Sequence, residues 1–359
     1  MALLEVDESA TYAPLGRVTS NVRCAQQSLE YKFQTMKFRT WLASIAGVLP
    51  ASLMAVVLFL AVYAWPAIRF NGVRFAFENT WSLGNLYADP ITIAGTQIQP
   101  GAHYGILFLI VGTLLSTLLA LLLAVPVGVG AAMFLAEKVD ARLRTWISLF
   151  VELLAAIPSV VLGLWGYAVL IPFLAHYLFP LLTHTIGYVI PIFGGPSGSG
   201  YGLFTSSFVL AMMIVPLITA TVRDALVAQP APLRESALAL GATGFETTYH
   251  VLLPNTRKVL IGATFLALGR ALGETMAVLM VSGNALNYLP HNIYDPISTM
   301  AAFIVSQLDS ALQDPTGMAV RTLAEIALIL CIISIIVNAL ARLVLQLWSG
   351  YAQRPRLAV

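Results

Sequence analysis

The chain has 359 residues, 58% of them hydrophobic and only 10% charged, with a net charge of +2 and a mean hydropathy of +0.84. A water-soluble domain carries about a quarter charged residues, so most of this chain is solvated by lipid rather than water. The slight positive balance, with no long basic run, argues against nucleic acid as a partner. Cys24 lies in a polar tail and Cys331 in an apolar segment, which argues against a disulfide between them, and no metal-ligand spacing is present.

Residues 1–40 read as a polar tail. Its first 25 residues show no periodicity, whereas Leu29, Phe33 and Met36 form one helical stripe suited to a helix lying on the membrane surface. The first apolar run starts near Trp41, too far from the start for a cleaved secretory signal, and residues 41–66 read as a retained first span. Spanning takes about 20 mostly apolar residues. Six stretches meet this: Trp41–Trp65, Tyr104–Ala136, Ile147–Leu174, Phe204–Val222, Val259–Ser282 and Leu323–Trp348. The chain is therefore expected to be an all-α membrane protein with six transmembrane helices. Residues 67–103 form a loop, 104–348 the core with five spans, and 349–359 a C-terminal tail. The apolar stretch Tyr177–Phe193 is interrupted by Pro180, Gly187 and Pro191, and reads as an interfacial or re-entrant segment.

Lysine and arginine set the orientation. Arg17, Arg23, Lys32, Lys37 and Arg39 precede the first span. Lys138, Arg142 and Arg144 follow the second, and Arg223, Arg234, Arg257 and Lys258 follow the fourth, while Arg342, Arg354 and Arg356 end the chain. The opposite loops hold only Arg69, Arg74 and Arg321. Both termini and loop 223–258 are thus expected in the cytoplasm of a multi-pass membrane protein.

Loop 223–258 is patterned rather than loop-like. Pro230 and Pro232 are expected to stop the preceding helix. A short helix through Glu235-Ser-Ala-Leu-Ala-Leu then reaches Gly241, where the backbone is free to turn. A second helix runs to Val251-Leu-Leu-Pro254, and Pro254 is expected to end it. A short helix with one apolar face needs a partner surface. This stretch resembles the E-A-A-x3-G-x9-I-x-L-P motif of ABC importer permeases. Glu235, Ala237, Gly241, Leu253 and Pro254 match it, with Ser236 and Val251 standing at the two altered positions. The resemblance implies the ABC importer permease fold, with a coupling helix that docks on a separate ATPase subunit. No G-x4-G-K-[ST] nucleotide loop occurs in the chain, so no cofactor is expected on it, and ATP and magnesium are expected on the partner.

Three further stretches resemble the phosphate-specific (Pst) permeases. They are Glu152 to Gly166, Pro126-Val-Gly-Val-Gly130 and Gly269-Arg-Ala-Leu-Gly-Glu-Thr-Met-Ala-Val278, the last closer to the PstC type than to the PstA type. The resemblance covers residues 104–348 and implies half of a phosphate pathway. The implied partners are a second, PstA-type permease, two ATPase subunits and a periplasmic phosphate-binding protein. A permease for another oxyanion or small solute is the alternative, because the binding protein can set selectivity. An anion channel is the alternative from another class, although a channel needs no docking helix.

Charged residues inside spans are costly and are functional candidates by default. Arg270 and Glu274, four apart in the fifth predicted span, are expected on one helix face beside Gly269 and Gly273, where they form the candidate substrate pathway. A self-neutralised structural pair is the competing reading. Glu152 reads as a helix-start cap or an ATPase-facing carboxylate, and Arg321 with Glu325 as an interfacial ion pair. The histidines at 103, 176, 184, 250 and 291 show no ligand pattern, and no metal site or catalytic residue is expected.

Overall fold

The computed structural model describes residues 15–93, 95–185, 187–195 and 198–350. The chain divides into two units, Met1–Phe59 and Leu60–Val359. Helix α1 is Leu15–Asn71. It is unbroken where a polar tail was expected, so the tail is helical from Leu15 on; residues 1–14 lie outside the described part. No proline falls between Leu15 and Leu49 to stop it. In the first unit Trp41, Leu49 and Phe59 are exposed, as suits a helix solvated by lipid.

In the second unit the segment after α1 is not a plain loop. A tight helical turn, Gly72–Ala76, leads into strands β1 (Trp81–Ser82), β2 (Ile91–Ile93), β3 (Thr96–Ile98) and β4 (His103–Tyr104). β1 pairs with β4 and β2 with β3, both antiparallel. Trp81 packs edge-on against Tyr104 at 5.2 Å and Phe303 at 5.0 Å. Asn287, at φ +57°, clamps the Trp81 backbone on both sides: its Oδ1 accepts from the Trp81 N–H at 2.6 Å and its Nδ2 donates to the Trp81 carbonyl at 3.1 Å. Burial pushes the Tyr104 phenol above its ordinary pKa, with Asp314 adding to the effect.

Helix α2 (Leu107–Glu137) packs along α5 (Leu203–Val227). Small residues allow the approach: Ala120, Ala124 and Ala132 are fully buried, and a Cβ on Gly128 would lie 2.9 Å from Ile218. The Thr219 hydroxyl donates to the Gly128 carbonyl at 3.2 Å across this seam. A Cβ on Gly112 would run into the Ser298 carbonyl, which is backbone and cannot swing aside. Gly112→Ala is therefore expected to cost about 1–3 kcal/mol, the usual range for overpacking. The readout is a lower melting temperature of the detergent-purified protein, and an unchanged melting temperature refutes the fit.

The third predicted span is divided. Helix α3 (Ala141–Ala156) ends at Ile157, whose extended backbone (φ −60°, ψ +130°) is what a following proline imposes, and Pro158 precedes α4 (Ser159–Thr185). The helix long and apolar enough to cross is thus Ser159–Thr185 instead of Ile147–Leu174. It takes in Tyr177–Thr185, which were expected in an interfacial or re-entrant segment. Pro172 and Pro180 are accommodated beside two widened turns, Gly166–Leu170 and Leu174–Leu178.

The remaining helices are α6 (Ala231–Ala239), α7 (Gly244–Asn255), α8 (Arg257–Leu272), α9 (Met276–Val281), α10 (Met300–Leu312) and α11 (Met318–Gly350). Helix α10 was not anticipated; it packs on α2 and α11, with Met300, Ala302 and Phe303 buried. Among the described residues five helices are long and apolar enough to cross a membrane, and six if the bent pair α7–α8 counts as one.

Candidate functional site

Helix α5 closes at Val227, with the Ala228 N–H donating to the Asp224 carbonyl at 2.9 Å. Pro230 and Pro232 come just after that end, as expected of prolines that a helix cannot continue through, and they also open α6, where the first turn has no use for their missing N–H groups. Helix α6 ends in a two-bond Schellman arrangement. The Gly241 N–H donates to the Leu238 carbonyl at 3.0 Å, and the Ala242 N–H donates to the Ala237 carbonyl at 3.2 Å. Gly241 sits at φ +88°, so the glycine of the motif is the left-handed residue that this stop requires. The motif's Ala237 supplies one closing carbonyl and is buried, whereas Glu235 is exposed on the outer face of α6.

Helix α7 starts with a capping box. The Thr243 hydroxyl accepts from the Glu246 N–H at 3.3 Å, and the Glu246 carboxylate accepts from the Thr243 N–H at 2.8 Å. Pro254 does not end this helix by itself: it occupies the last turn, α7 continues to Asn255, and the chain bends by 72° into α8 at Thr256. Leu253 packs into the apolar cluster shared by α2, α5 and α8, while Pro254 is exposed. Around the Gly241 turn Leu240 is 90% exposed, and Phe245 and Tyr249 lie stacked and exposed, 5.9 Å apart.

Two ion pairs tie this loop to the rest of the chain. Arg234 on α6 pairs with Glu137 at the end of α2 at 2.6 Å. Arg223 near the end of α5 is buried and pairs with Glu152 of α3 at 3.2 Å and with Asp224 at 2.7 Å. Glu152 thus caps no helix start; it holds an arginine.

The fifth predicted span is broken. Helix α8 stops at Leu272, Gly273 caps it, and the chain resumes helically only at Met276. Arg270 and Glu274 therefore do not share one helix face, and among the described residues no ion pair joins them. Arg270 is exposed in the last turn of α8. Glu274 lies in the break, where its Oε1 accepts from the Ala277 N–H at 3.5 Å and so caps α9 loosely. Leu266, one turn earlier, continues the Arg270 face and is 59% exposed, with open space beside Gly262. An arginine on an open face of a membrane helix meets another chain or water rather than hydrocarbon. Asn338 of α11, exposed, brings its amide within 3.8 Å of where a Gly269 Cβ would sit. As an uncharged residue in an apolar stretch it gave no sequence signal. The expected Arg321–Glu325 pair is absent among the described residues; Glu325 is buried and instead accepts from Asn71 Nδ2 at 2.8 Å.

Apolar helices long enough to cross a membrane, one of them broken beside a charge, define a multi-pass membrane protein. The family model of the binding-protein-dependent transport system inner membrane component matches residues 124–349. The chain is 45% identical over 306 residues to phosphate transport system permease protein PstC 1 of Mycobacterium tuberculosis, covering 84% of this chain and 90% of that relative. It is 35% identical over 295 residues to PstC of Haemophilus influenzae, covering 82% and 87%. The chain belongs to the PstC permeases of this family. It is also similar to the inward-facing MetNI methionine ABC transporter, at 19% identity and a TM-score of 0.44 over 67% of this chain and 93% of that one.

Proposed function

We propose that this chain is one half of the membrane pathway of an ATP-driven phosphate importer. The observation that carries the reading is the 45% identity to a PstC permease over 84% of the chain, which takes in both the loop and the broken span. In this reading a PstA-type permease completes the pathway, a periplasmic binding protein delivers phosphate, and two partner subunits bind ATP and magnesium. Glu235, Ala237, Gly241, Leu253 and Pro254 form the ATPase-docking loop. Arg270 supplies the positive charge that offsets phosphate desolvation, with Glu274 beside it. The chain lies in the inner membrane with both termini and the loop in the cytoplasm.

The test is ATP hydrolysis by the reconstituted complex with its binding protein, in the presence of phosphate, sulfate or molybdate. Stimulation by phosphate alone is the expected result, and stimulation by sulfate but not phosphate overturns the substrate. Orientation has its own test. Ser199 and Ser236 are both exposed. In a variant lacking the native cysteines, Ser199→Cys is expected to react with an impermeant thiol reagent applied to the periplasm, and Ser236→Cys is not. The opposite pattern reverses the topology.

A further inference from the structure

The two loop ion pairs share a geometry that neither shows alone. Arg223 and Arg234 flank the start of the loop, one at the end of α5 and one on α6. Their carboxylates lie on successive helices: Glu137 is the last residue of α2, and Glu152 is in the last turns of α3, about 16 Å along that helix from its start. The two arginines therefore hold the α2–α3 pair at two separate points. Both grips are shielded from water on at least one partner: Glu137 is 13% exposed and Arg223 is 8% exposed. Shielding strengthens such a contact and raises the cost of leaving one partner alone.

We infer that the Arg234–Glu137 and Arg223–Glu152 clasps make the α2–α3 connection move with the docking loop, so that ATPase motion reaches α2 and α3 directly. This rests on the proposed coupling role of the loop. Without the clasps, motion of α6 passes along the covalent chain and through non-directional apolar packing, such as that of Leu233 and Leu253 on the cluster of α2, α5 and α8. With them it also pulls on α2, which carries Pro126 in its interior, and on α3, which meets α4 at the Pro158 corner. A proline in a helix removes one backbone bond and lets the helix bend there. Each clasped element thus has a point at which it can flex. Arg234 and Glu137 act as positioning residues, since among the described residues they pair with each other and not with Arg270 or Glu274.

The experiment uses the complete complex with its binding protein in proteoliposomes, and reads phosphate transported per ATP hydrolysed. The wild-type complex must show phosphate-stimulated hydrolysis; if it does not, the functional reading fails, which is a separate outcome. Given a coupled wild type, Glu137→Gln and Arg234→Met are each expected to lower transport per ATP about fivefold, the scale of a part-buried ion pair, with basal hydrolysis retained. The exchange Glu137→Arg with Arg234→Glu is expected to restore most of the ratio, because it rebuilds the pair with its polarity reversed. If Arg234→Met fails to assemble, the near-isosteric Glu137→Gln carries the test. An unchanged ratio in Glu137→Gln, or an exchange variant no better than its single parents, overturns the inference.

Discussion

Arg270→Gln is expected to abolish phosphate uptake while the protein remains in the membrane. A phosphate that leaves water needs a compensating charge, and span five offers Arg270 alone. Its guanidinium can hold two phosphate oxygens at once. Losing one such charge-assisted contact, worth roughly 3 kcal/mol, slows transport about a hundredfold. The break at Gly273 makes the variant informative. Because Glu274 caps α9 and forms no ion pair with Arg270 among the described residues, removing the arginine does not orphan a buried carboxylate. Glu274→Gln keeps an acceptor for the Ala277 N–H, so α9 still starts correctly and the expected loss is smaller. A carboxylate at 274 can accept a hydrogen bond from the P–OH of protonated phosphate and would repel fully ionised sulfate, so that variant is also expected to narrow the preference for phosphate. Arg270→Lys is expected to recover little, since a point charge lacks the planar fork. The measurement is phosphate uptake in cells lacking other phosphate importers, at matched membrane levels. Near-normal uptake by Arg270→Gln removes the residue from the pathway.

The sequence made the apolar stretches legible because lipid demands long apolar runs. It did not make their breaks legible. Pro158 and Gly273 were visible, yet hydropathy continues across both, so Ile147–Leu174 and Val259–Ser282 looked continuous where the backbone is not. Of the breaks that suggested a re-entrant segment, Pro180 was misleading for the converse reason, since widened turns absorb a proline inside α4, whereas Gly187 and Pro191 do lie beyond that helix's end. Helix α10 went unseen because its 13 residues are too short to read as a span. The docking loop was the most legible part, since glycine and proline act locally and at fixed spacing. Even there the prolines at 230 and 232 were read only as following one helix, when they also open the next. The clasps had no signal at all, because Glu137 and Arg234 are joined only by the fold.

Gly241→Val is expected to leave membrane insertion intact and to abolish ATPase docking and transport. The glycine's φ of +88° is a conformation that β-branched residues avoid. No atom lies within 4 Å of a Cβ placed there, so the cost is backbone strain rather than a clash. Such strain amounts to about 1–3 kcal/mol. The loop can escape it by opening the α6 stop, which gives up the bonds from Gly241 to Leu238 and from Ala242 to Ala237. Either outcome displaces Leu240, Phe245 and Tyr249, the exposed apolar residues around the turn, from the arrangement a partner would recognise. The damage stays local, because Gly241 belongs to no span and none of the spans' packing passes through it. Graded replacements separate strain from size. Gly241→Asn, which tolerates the left-handed region, is expected to retain most docking, and Gly241→Ala to fall between Asn and Val. Co-purification of the ATPase subunit and phosphate uptake are measured together for the three variants. Full transport by Gly241→Val, or equal loss in all three, shows that the turn's conformation is not what the ATPase reads.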